Sequence, residues 1–312
     1  MKSIIDRAKA AYLGVAIGDA LGATVEFMIP NEIKSAYGVH KEIIGGGWLK
    51  LKAGRVTDDT EMSLALGEAL LSKGAMDAHT VATSFLDWMR SKPVDIGGTV
   101  RRGLVRFSLT GETVAEPSER SAGNGAAMRN LPVIIATLGD NQRLMEWTSI
   151  QGRITHNNEE SDRGSYIIGL LTSLSILMGG EAPLHATARR LMEETPAFDY
   201  TRFKPIDTDG YIVHTVRTVL HSFFSTGDFE ACIVKTVNYG GDADTNGAIA
   251  GMLAGAFYGV ESIPGRWLRR LDPNVKEAVE RQVDILLETF PPRRAPDPDG
   301  AATCPRPFWP LP

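Results

Sequence analysis

Three absences narrow the classes of protein to which this 312-residue chain can belong. Its two cysteines, Cys232 and Cys304, give neither a disulfide framework nor the paired spacing of a zinc site. Its basic residues run no longer than pairs such as Arg101-Arg102, so nucleic acid is not an expected partner. No apolar run reaches the roughly 18 residues of a membrane span, and the first residues do not resemble a signal peptide. We expect an uncleaved cytoplasmic protein without direct membrane insertion.

Alternating β-branched runs are also nearly absent, and the segment from Lys41 to Leu51 is the one candidate for a short hairpin. Elsewhere apolar residues recur at helical spacing, and 43% of the chain is apolar, which is enough for a large buried core. The sequence thus predicts a single compact, all-α, multi-helix domain over residues 1–290 and a proline-rich tail over residues 291–312. The predicted helices run from Ile4 to Ala23, Met62 to Leu71, Val81 to Met89, Val100 to Phe107, Ala126 to Leu138, Tyr166 to Leu177, Ile212 to Phe224, Ile249 to Tyr258 and Val275 to Leu287.

A stripe of small residues begins just before the predicted helix from Ile249 to Tyr258 and continues along it. Gly247, Gly251 and Gly255 lie four apart, which leaves one face of a helix bare and lets another backbone come close. The segment is too short for a membrane helix. We therefore expect a central buried helix at this point of the chain.

Two loops set aspartates beside threonines next to an apolar helical stretch. The first loop, VTDDTE, holds Thr57, Asp58 and Asp59, and the second, GGDADTNG, holds Asp242, Asp244 and Thr245. Taken alone, the first also fits a helix capping box, and the second resembles part of a calcium loop whose remaining acidic positions are missing. Clustered carboxylates repel one another without a cation. If the two loops meet in space, they predict a site for hard metal ions assembled from distant parts of the chain.

Three further carboxylates stand in segments that suit a functional role. Asp19 and Glu26 are seven residues apart in GDALGATVEF, so a continuous helix would turn both toward nearly the same side. A solvated surface stripe is the alternative, and their Gly, Ala, Leu and Val neighbours disfavour it. Asp95 lies in a loop bounded by proline and glycine, where it fits a helix N-cap as well as a functional carboxylate.

Two more loops suit a polar ligand. The segment SAGNGAAMR is predicted to open a helix, so its amides and the helix dipole would hold phosphate, with Arg129 about one turn further on. The segment RITHNNEESD places His156 and Asn157 at another helix start. A lone GNG is weak evidence, and a single histidine is more often structural than catalytic. Both interpretations stay open at this point.

Six motifs, taken in their order and spacing across roughly residues 5–290, resemble the ADP-ribosylglycohydrolase family. They are GDALGATVEF, TDDTEM, PVDIGGT, GNGAAMR, THNNEESD and GGDADTNGAIAGMLAGAFYG. The resemblance implies an all-α fold around a binuclear Mn²⁺ or Mg²⁺ site, with two ions per subunit, in a central cleft. It also implies hydrolysis of the N-glycosidic bond between ADP-ribose and arginine. The segment from Glu26 to Gly67 is most similar to members that reactivate dinitrogenase reductase, the nitrogenase iron protein.

The resemblance also implies a role for individual residues. Asp95 corresponds to an aspartate that touches the ribose and is a candidate acid or base, and Glu26 to an additional carboxylate near the metals, so both are expected to be catalytic. The implied metal ligands are Thr57, Asp58, Asp59, Asp242, Asp244 and Thr245. The implied walls of the ADP-ribose site are Gly123, Asn124, Gly125, Met128, His156 and Tyr211.

Two positions depart from the expected pattern. Asn158 stands where a second histidine is expected, and His214 stands where an acidic residue is expected, which bears on the protein target rather than on the metal site. The alternatives are a hydrolase of another ADP-ribosylated protein or of a small ADP-ribose conjugate, and a non-catalytic relative that binds ADP-ribose. Retention of the carboxylates argues against the last of these. We also expect a monomer, and the resemblance implies association with a PII signalling protein and, through it, with the membrane.

Overall fold

The computed structural model describes residues 3–179 and 181–293, and the regular elements in these ranges are helical. The all-α prediction is therefore confirmed. The α-helices are α1 Ile4–Gly22, α2 Pro30–Tyr37, α3 Asp58–Lys73, α4 Ala78–Arg90, α5 Gly98–Thr110, α6 Leu131–Ala136, α7 Asn141–Arg153, α8 Glu159–Leu177, α9 Glu181–Glu194, α10 Ile212–Phe224, α11 Phe229–Val237, α12 Ala243–Tyr258, α13 Gly265–Arg270 and α14 Pro273–Thr289. Short 3₁₀ helices occur at Glu119–Ser121, Asn124–Ala126, Pro196–Phe198, Tyr200–Arg202 and Val260–Ser262.

Several helices begin where the sequence supplies a capping side chain. Ser3 accepts a hydrogen bond from the backbone N–H of Asp6 at the start of α1, and Asp77 accepts one from Thr80 in α4. Asn158 accepts from the backbone of the first turn of α8. Each such cap satisfies an N–H that the helix itself leaves unpaired and stabilises the helix by about 1 kcal/mol.

Helices α1 and α12 form the buried centre of the molecule and run antiparallel in close contact. A Cβ atom on Gly18 would lie 2.0 Å from the carbonyl oxygen of Gly247, and one on Gly251 would lie 2.0 Å from that of Gly14. Only glycine allows the two backbones to approach this closely. The predicted central buried helix is confirmed, and its pairing with α1 brings the end of α1 beside the start of α12.

One predicted helix is shorter in the structure, and the candidate hairpin is minimal. The helix predicted from Ala126 to Leu138 is shorter, because the chain forms only a 3₁₀ turn before α6 begins at Leu131. Pro132 lacks an N–H and is accommodated in the first turn of α6, where that N–H is not needed. The candidate hairpin near Lys41 reduces to one antiparallel bridge between Gly46 and Leu51. Helices α2, α7, α9, α11 and α13 lie outside the nine predicted ranges.

The predicted tail falls almost wholly outside the described residues, as does Cys304, so the boundary at residue 290 stays a prediction. Just after α14, the backbone N–H of Arg293 donates to the carbonyl of Leu138, and its guanidinium lies 2.7 Å from Asp140 Oδ2. Cys232 is buried in α11. None of the helices in the described ranges has both the length and the apolar character needed to cross a membrane.

Candidate active site

A cleft of about 490 Å³ lies where helices α3, α5 and α12 begin. The antiparallel packing of α1 on α12 holds it together at the base, since a Cβ on Gly22 would lie 2.2 Å from the carbonyl oxygen of Ala243. Six carboxylates line the cleft, and five of them form what we call its acidic side: Glu26, Asp58, Asp95, Asp242 and Asp244. The N-terminal end of a helix carries a partial positive charge, so the three helix starts partly offset the repulsion among these groups.

The two aspartate loops meet at this acidic side. Carboxylate oxygens of Glu26, Asp95 and Asp244 lie within 4.8 Å of one another, although the residues are far apart in sequence. The backbone N–H of Phe27 donates to the carbonyl of Gly241 at 2.6 Å, which ties the segment after α1 to the second loop. The cluster therefore draws one carboxylate from each of three separate parts of the chain.

Burial and mutual repulsion raise the pKa values of these carboxyl groups. Burial, reinforced by the neighbouring Asp95, raises the pKa of Asp58 to about 7. Burial, reinforced by nearby carboxylates, raises that of Glu26 to about 8, although a hydrogen bond from Trp48 opposes the shift. The pKa values of Asp59 and Asp244 lie well above the ordinary range for the same two reasons. At neutral pH, full ionisation of the cluster thus requires a compensating positive charge.

The donor set fits a hard divalent cation. Asp59 is completely buried, and its Oδ1 atom has no hydrogen-bond partner among the described residues. Its other oxygen lies 3.2 Å from Thr57 Oγ1, whose one hydroxyl hydrogen is closer to Asp19 Oδ1, at 3.0 Å. A buried carboxylate oxygen without a donor is costly unless a cation satisfies it, and Mg²⁺ and related ions prefer oxygen ligands.

Asp19 supports the first loop from behind and does not line the cleft. The N–H and hydroxyl groups of Thr57 and Thr60 all donate to its carboxylate, which is fully buried. The expectation that Asp19 and Glu26 share one helix face is wrong, because α1 ends at Gly22 and Glu26 lies in the turns that follow. Asp19 thus fixes the position of the loop that carries Asp58.

The capping alternatives for the acidic loops are not what the structure shows. Thr57, not Asp58, is the N-cap of α3, and Glu61 pairs instead with Arg55 and with the indole N–H of Trp88. Gly97, not Asp95, is the N-cap of α5. Asp95 is half-buried at the cleft, and burial raises its pKa.

A second, uncharged part of the cleft lining, which we call the neutral side, consists of Gly123, Asn124, Gly125, Met128 and His156. Asn124 links it to the acidic side, because its Nδ2 donates to Asp242 Oδ2 at 2.6 Å. Gly125 has no side chain because the imidazole occupies that space: a Cβ there would lie 2.7 Å from His156 Cε1. The GNG motif thus provides room for a buried ring at the cleft wall.

His156 is neutral, and its Nδ1 is bonded to the hydroxyl group of Thr155. Burial, with the nearby charges of Arg129 and Arg102, lowers its pKa to about 3. Arg129 donates to Thr155 Oγ1, which leaves the hydroxyl hydrogen of Thr155 to be donated to His156 Nδ1 at 2.7 Å. With the hydroxyl hydrogen in that bond, Nδ1 is the acceptor and the ring proton is assigned to Nε2, which makes His156 a hydrogen-bond donor at the cleft.

Two structural premises of the expected phosphate site are wrong. The GNG segment forms a 3₁₀ turn, not the first turn of an α-helix. Arg129 is fully buried, where it bonds to Gln151 and lies over the ring of Phe85. Its guanidinium therefore supports the wall of the cleft from within the core and does not reach a ligand.

Comparison with known proteins places the chain in a family. The model of the ADP-ribosylglycohydrolase family matches residues 1–296. This chain belongs to the ADP-ribosylglycohydrolase family. It is 50% identical over 285 residues to ADP-ribosyl-[dinitrogen reductase] glycohydrolase of Rhodospirillum rubrum, which covers 91% of this chain and 97% of that protein.

More distant relatives agree with this assignment. The chain is 32% identical to ADP-ribosylarginine hydrolase Tri1 of Pseudomonas putida (strain GB-1), with 86% of this chain and 74% of that protein covered. A solved structure titled ADP-ribosylglycohydrolase-related protein complex superposes with a TM-score of 0.81 at 32% identity, and the match covers 93% of this chain and 100% of that one. The fold described above is therefore that of the family.

Three of the predicted site residues of this ADP-ribosylglycohydrolase do not line the cleft. Thr57 and Asp59 lie buried behind it. Tyr211 lines a neighbouring open cavity of about 1020 Å³, where its hydroxyl donates to Glu160 at 2.7 Å. Its backbone nevertheless pairs with Gly123 of the neutral side. The remaining predicted residues all line the cleft: Glu26, Asp58, Asp95, Gly123, Asn124, Gly125, Met128, His156, Asp242, Asp244 and Thr245.

Neither of the two residues that depart from the expected family pattern lines the cleft itself, although the partner of His214 does. Asn158 caps α8, and its amide donates to the carbonyl of Ser118. His214 Nδ1 lies 2.9 Å from Asp209 Oδ1. Sequence analysis missed Asp209, Phe27 and Trp48 as residues of the cleft. The run of three glycines before Trp48 was the available signal, because it predicts a sharply bent loop rather than a hairpin.

Proposed function

We propose that this chain is a metal-dependent hydrolase that cleaves the N-glycosidic bond between ADP-ribose and an arginine side chain, and that its protein substrate is ADP-ribosylated dinitrogenase reductase. The observation that carries the proposal is a single cleft with a buried cluster of carboxylates on one side and uncharged hydrogen-bonding groups on the other. The similarity to ADP-ribosylarginine hydrolase Tri1 supports cleavage of the ADP-ribose–arginine bond. The similarity to ADP-ribosyl-[dinitrogen reductase] glycohydrolase of Rhodospirillum rubrum supports dinitrogenase reductase as the protein substrate.

The proposal assigns two divalent ions, Mn²⁺ or Mg²⁺, to the acidic side. The unpartnered Oδ1 of Asp59 and the raised pKa values around it support this assignment. Bound there, such ions would lower the pKa of a water molecule and neutralise the clustered carboxylates. The assigned ligands are Thr57, Asp58, Asp59, Asp242, Asp244 and Thr245.

Asp95 and Glu26 are assigned the catalytic carboxylate roles. Cleavage of a glycosidic bond develops positive charge at the anomeric carbon, which a nearby carboxylate stabilises. Asp95 is only half-buried, so it is accessible from the cleft, and its raised pKa suits a group that takes up and releases a proton. Glu26 is more deeply buried and lies in the same carboxylate cluster.

The neutral side is assigned to the ADP-ribose moiety. A diphosphate carries negative charge, so a second carboxylate wall would repel it, whereas the Nε2–H of His156 donates a hydrogen bond without changing charge over the physiological pH range. Met128 adds an apolar contact surface beside it. In this assignment the acidic side holds the glycosidic bond that is cleaved, and the neutral side holds the ADP-ribose that is released.

Incubation with two substrates tests the proposal. The chain is mixed with arginine-ADP-ribosylated dinitrogenase reductase and, separately, with ADP-ribosylarginine, each with Mn²⁺ or with excess chelator, and free ADP-ribose is measured. We expect metal-dependent release from both. Release from ADP-ribosylarginine alone would support cleavage of the ADP-ribose–arginine bond but reject dinitrogenase reductase as the protein substrate. The absence of metal-dependent release from either substrate would reject the proposed function.

Association with a PII signalling protein, recruitment to the membrane through it, a cytoplasmic location and a monomeric state stay predictions that rest on the resemblance. Size-exclusion chromatography with and without a purified PII protein would test the first and the last together.

A further inference from the structure

Trp48 is a half-exposed tryptophan that is bonded to a buried carboxylate of the cleft. Its side chain is 53% exposed, whereas Glu26 is 6% exposed. The indole N–H donates to Glu26 Oε2 at 2.5 Å, and both residues line the cleft. Among the described residues, the Glu26 side chain accepts its hydrogen bond from this indole. The exposure of so large an apolar ring calls for a reason other than core packing.

The loop that carries Trp48 is held in one conformation. Gly45, Gly46 and Gly47 all have positive φ, and Gly46 exchanges two backbone hydrogen bonds with Leu51 at 2.8 and 2.9 Å. A Cβ on Gly47 would lie 2.2 Å from the carbonyl oxygen of Ala23. The backbone of the loop is thus packed directly on the segment that leads from α1 to Glu26, which brings Trp48 next to its acceptor.

The ring of Trp48 also packs near the ring of Phe27, the residue that follows Glu26. Phe27 adopts φ 63°, which is uncommon for a residue with a side chain, and its ring centroid lies 5.5 Å from that of Trp48. The backbone of Phe27 is anchored to the second aspartate loop through Gly241. The ring that bonds Glu26 is therefore supported by the ring of the residue that follows Glu26.

We propose that Trp48 is a positioning residue that acts through Glu26: its indole N–H fixes the orientation of the Glu26 carboxylate toward the carboxylate cluster. A carboxylate can rotate about its terminal torsion, and a donor fixed to one oxygen selects one orientation. The proposal rests on the proposed function for the role of Glu26 in turnover. Loss of a partner that orients a functional carboxylate typically costs about 10- to 100-fold in activity or metal affinity.

A double-mutant cycle tests this coupling with the full chain, W48F, E26Q and the double variant. The W48F variant keeps an aromatic ring against Phe27 but lacks the N–H. In the wild-type background we expect kcat on ADP-ribosylarginine to fall about 10- to 100-fold, with KM changed by less than about 3-fold. In the E26Q background we expect W48F to cause no further loss, because the group through which it acts is already neutralised.

The chain offers a matched control, since the indole of Trp88 donates to Glu61 Oε2 at 2.9 Å away from the cleft. The W88F variant should keep kcat within about 2-fold of wild type. Unchanged kcat in W48F, a rise in KM alone, or an equal loss in both backgrounds would overturn the proposal. If the wild-type chain releases no ADP-ribose, the proposed function fails. The same four proteins then decide the role of Trp48 by calorimetric Mn²⁺ affinity, where the W48F effect must again disappear in E26Q.

Discussion

The acidic side of the cleft is held by ionisable and hydroxyl side chains, whereas the neutral side is held by backbone and by an uncharged ring. On the acidic side, Asp19 supports the first aspartate loop through four donors from two threonines. On the neutral side, the shape depends on glycines that leave room for His156 and on a buried arginine behind it. One side therefore depends on charge compensation, and the other on fit.

Substitutions on the acidic side and on the neutral side should therefore affect different properties of the protein. The carboxylates have raised pKa values and one unpartnered oxygen, so a bound cation and the pH control their state. His156 stays neutral at any pH near neutrality because its pKa is about 3. Substitutions on the acidic side should change turnover, metal affinity and pH-dependent stability, while those on the neutral side should change substrate affinity.

The largest expected effect is on turnover. We expect the D95N variant to lose about 10²- to 10⁴-fold in kcat on ADP-ribosylarginine, because the amide can neither take up a proton nor stabilise developing positive charge. Calorimetric Mn²⁺ affinity should stay within a few-fold of wild type. The exposed Asp87 gives a matched control, since D87N removes a carboxylate from the surface of α4. Near-normal turnover in D95N would remove Asp95 from the catalytic role.

Metal affinity should respond most to Asp59. The D59N variant keeps an oxygen for Thr57 but removes a buried negative charge, so we expect Mn²⁺ affinity to fall by at least about 100-fold. In excess chelator, the same variant should melt at a higher temperature than wild type, because the repulsion among buried carboxylates is reduced. Opposite signs of the two effects distinguish a metal ligand from a structural residue. A lower melting temperature with unchanged Mn²⁺ affinity would contradict the assignment.

The pH dependence of stability should reveal the acidic side in the metal-free protein. The folded-state pKa values of Asp58, about 7, and of Glu26, about 8, lie above the ordinary values of 3.8 and 4.5. Between about pH 4 and 8 the folded chain therefore binds more protons than the unfolded chain, and stability falls as the pH rises. We expect the melting temperature in chelator to fall by roughly 5 to 10 °C over this range. Saturating Mn²⁺ should flatten the dependence, and a metal-free curve that rises with pH would rule out this account.

Much of this site was predictable from sequence because its chemistry is concentrated in short loops next to helices. The aspartate loops, Asp95 and the GNG segment keep their residue types together along the chain, and all of them reach the cleft. The stripe of glycines likewise predicted the buried α12, because a helix face without side chains lets another backbone pack closely against it.

Other features depended on contacts between distant segments, which sequence patterns do not encode. The burial of Arg129 depends on Gln151 and Phe85, and the support of Thr57 by Asp19 joins segments 38 residues apart. Trp48 was overlooked because its bond to Glu26 joins segments 22 residues apart. Helices α2, α7, α9, α11 and α13 were missed for a related reason: tertiary packing stabilises helices in proteins more than local sequence preference does.

The smallest expected effect tests the neutral side. The G125A variant places a methyl group 2.7 Å from His156 Cε1, so the ring must shift to accommodate it. We expect KM for ADP-ribosylarginine to rise about 3- to 10-fold, with kcat and Mn²⁺ affinity unchanged, because the carboxylates are not disturbed. Gly227 is the matched control, since a Cβ there meets no atom within 4 Å. A fall in Mn²⁺ affinity in G125A but not in G227A would show that the two sides are coupled, and the bond from Asn124 to Asp242 would then be the first place to look for that coupling.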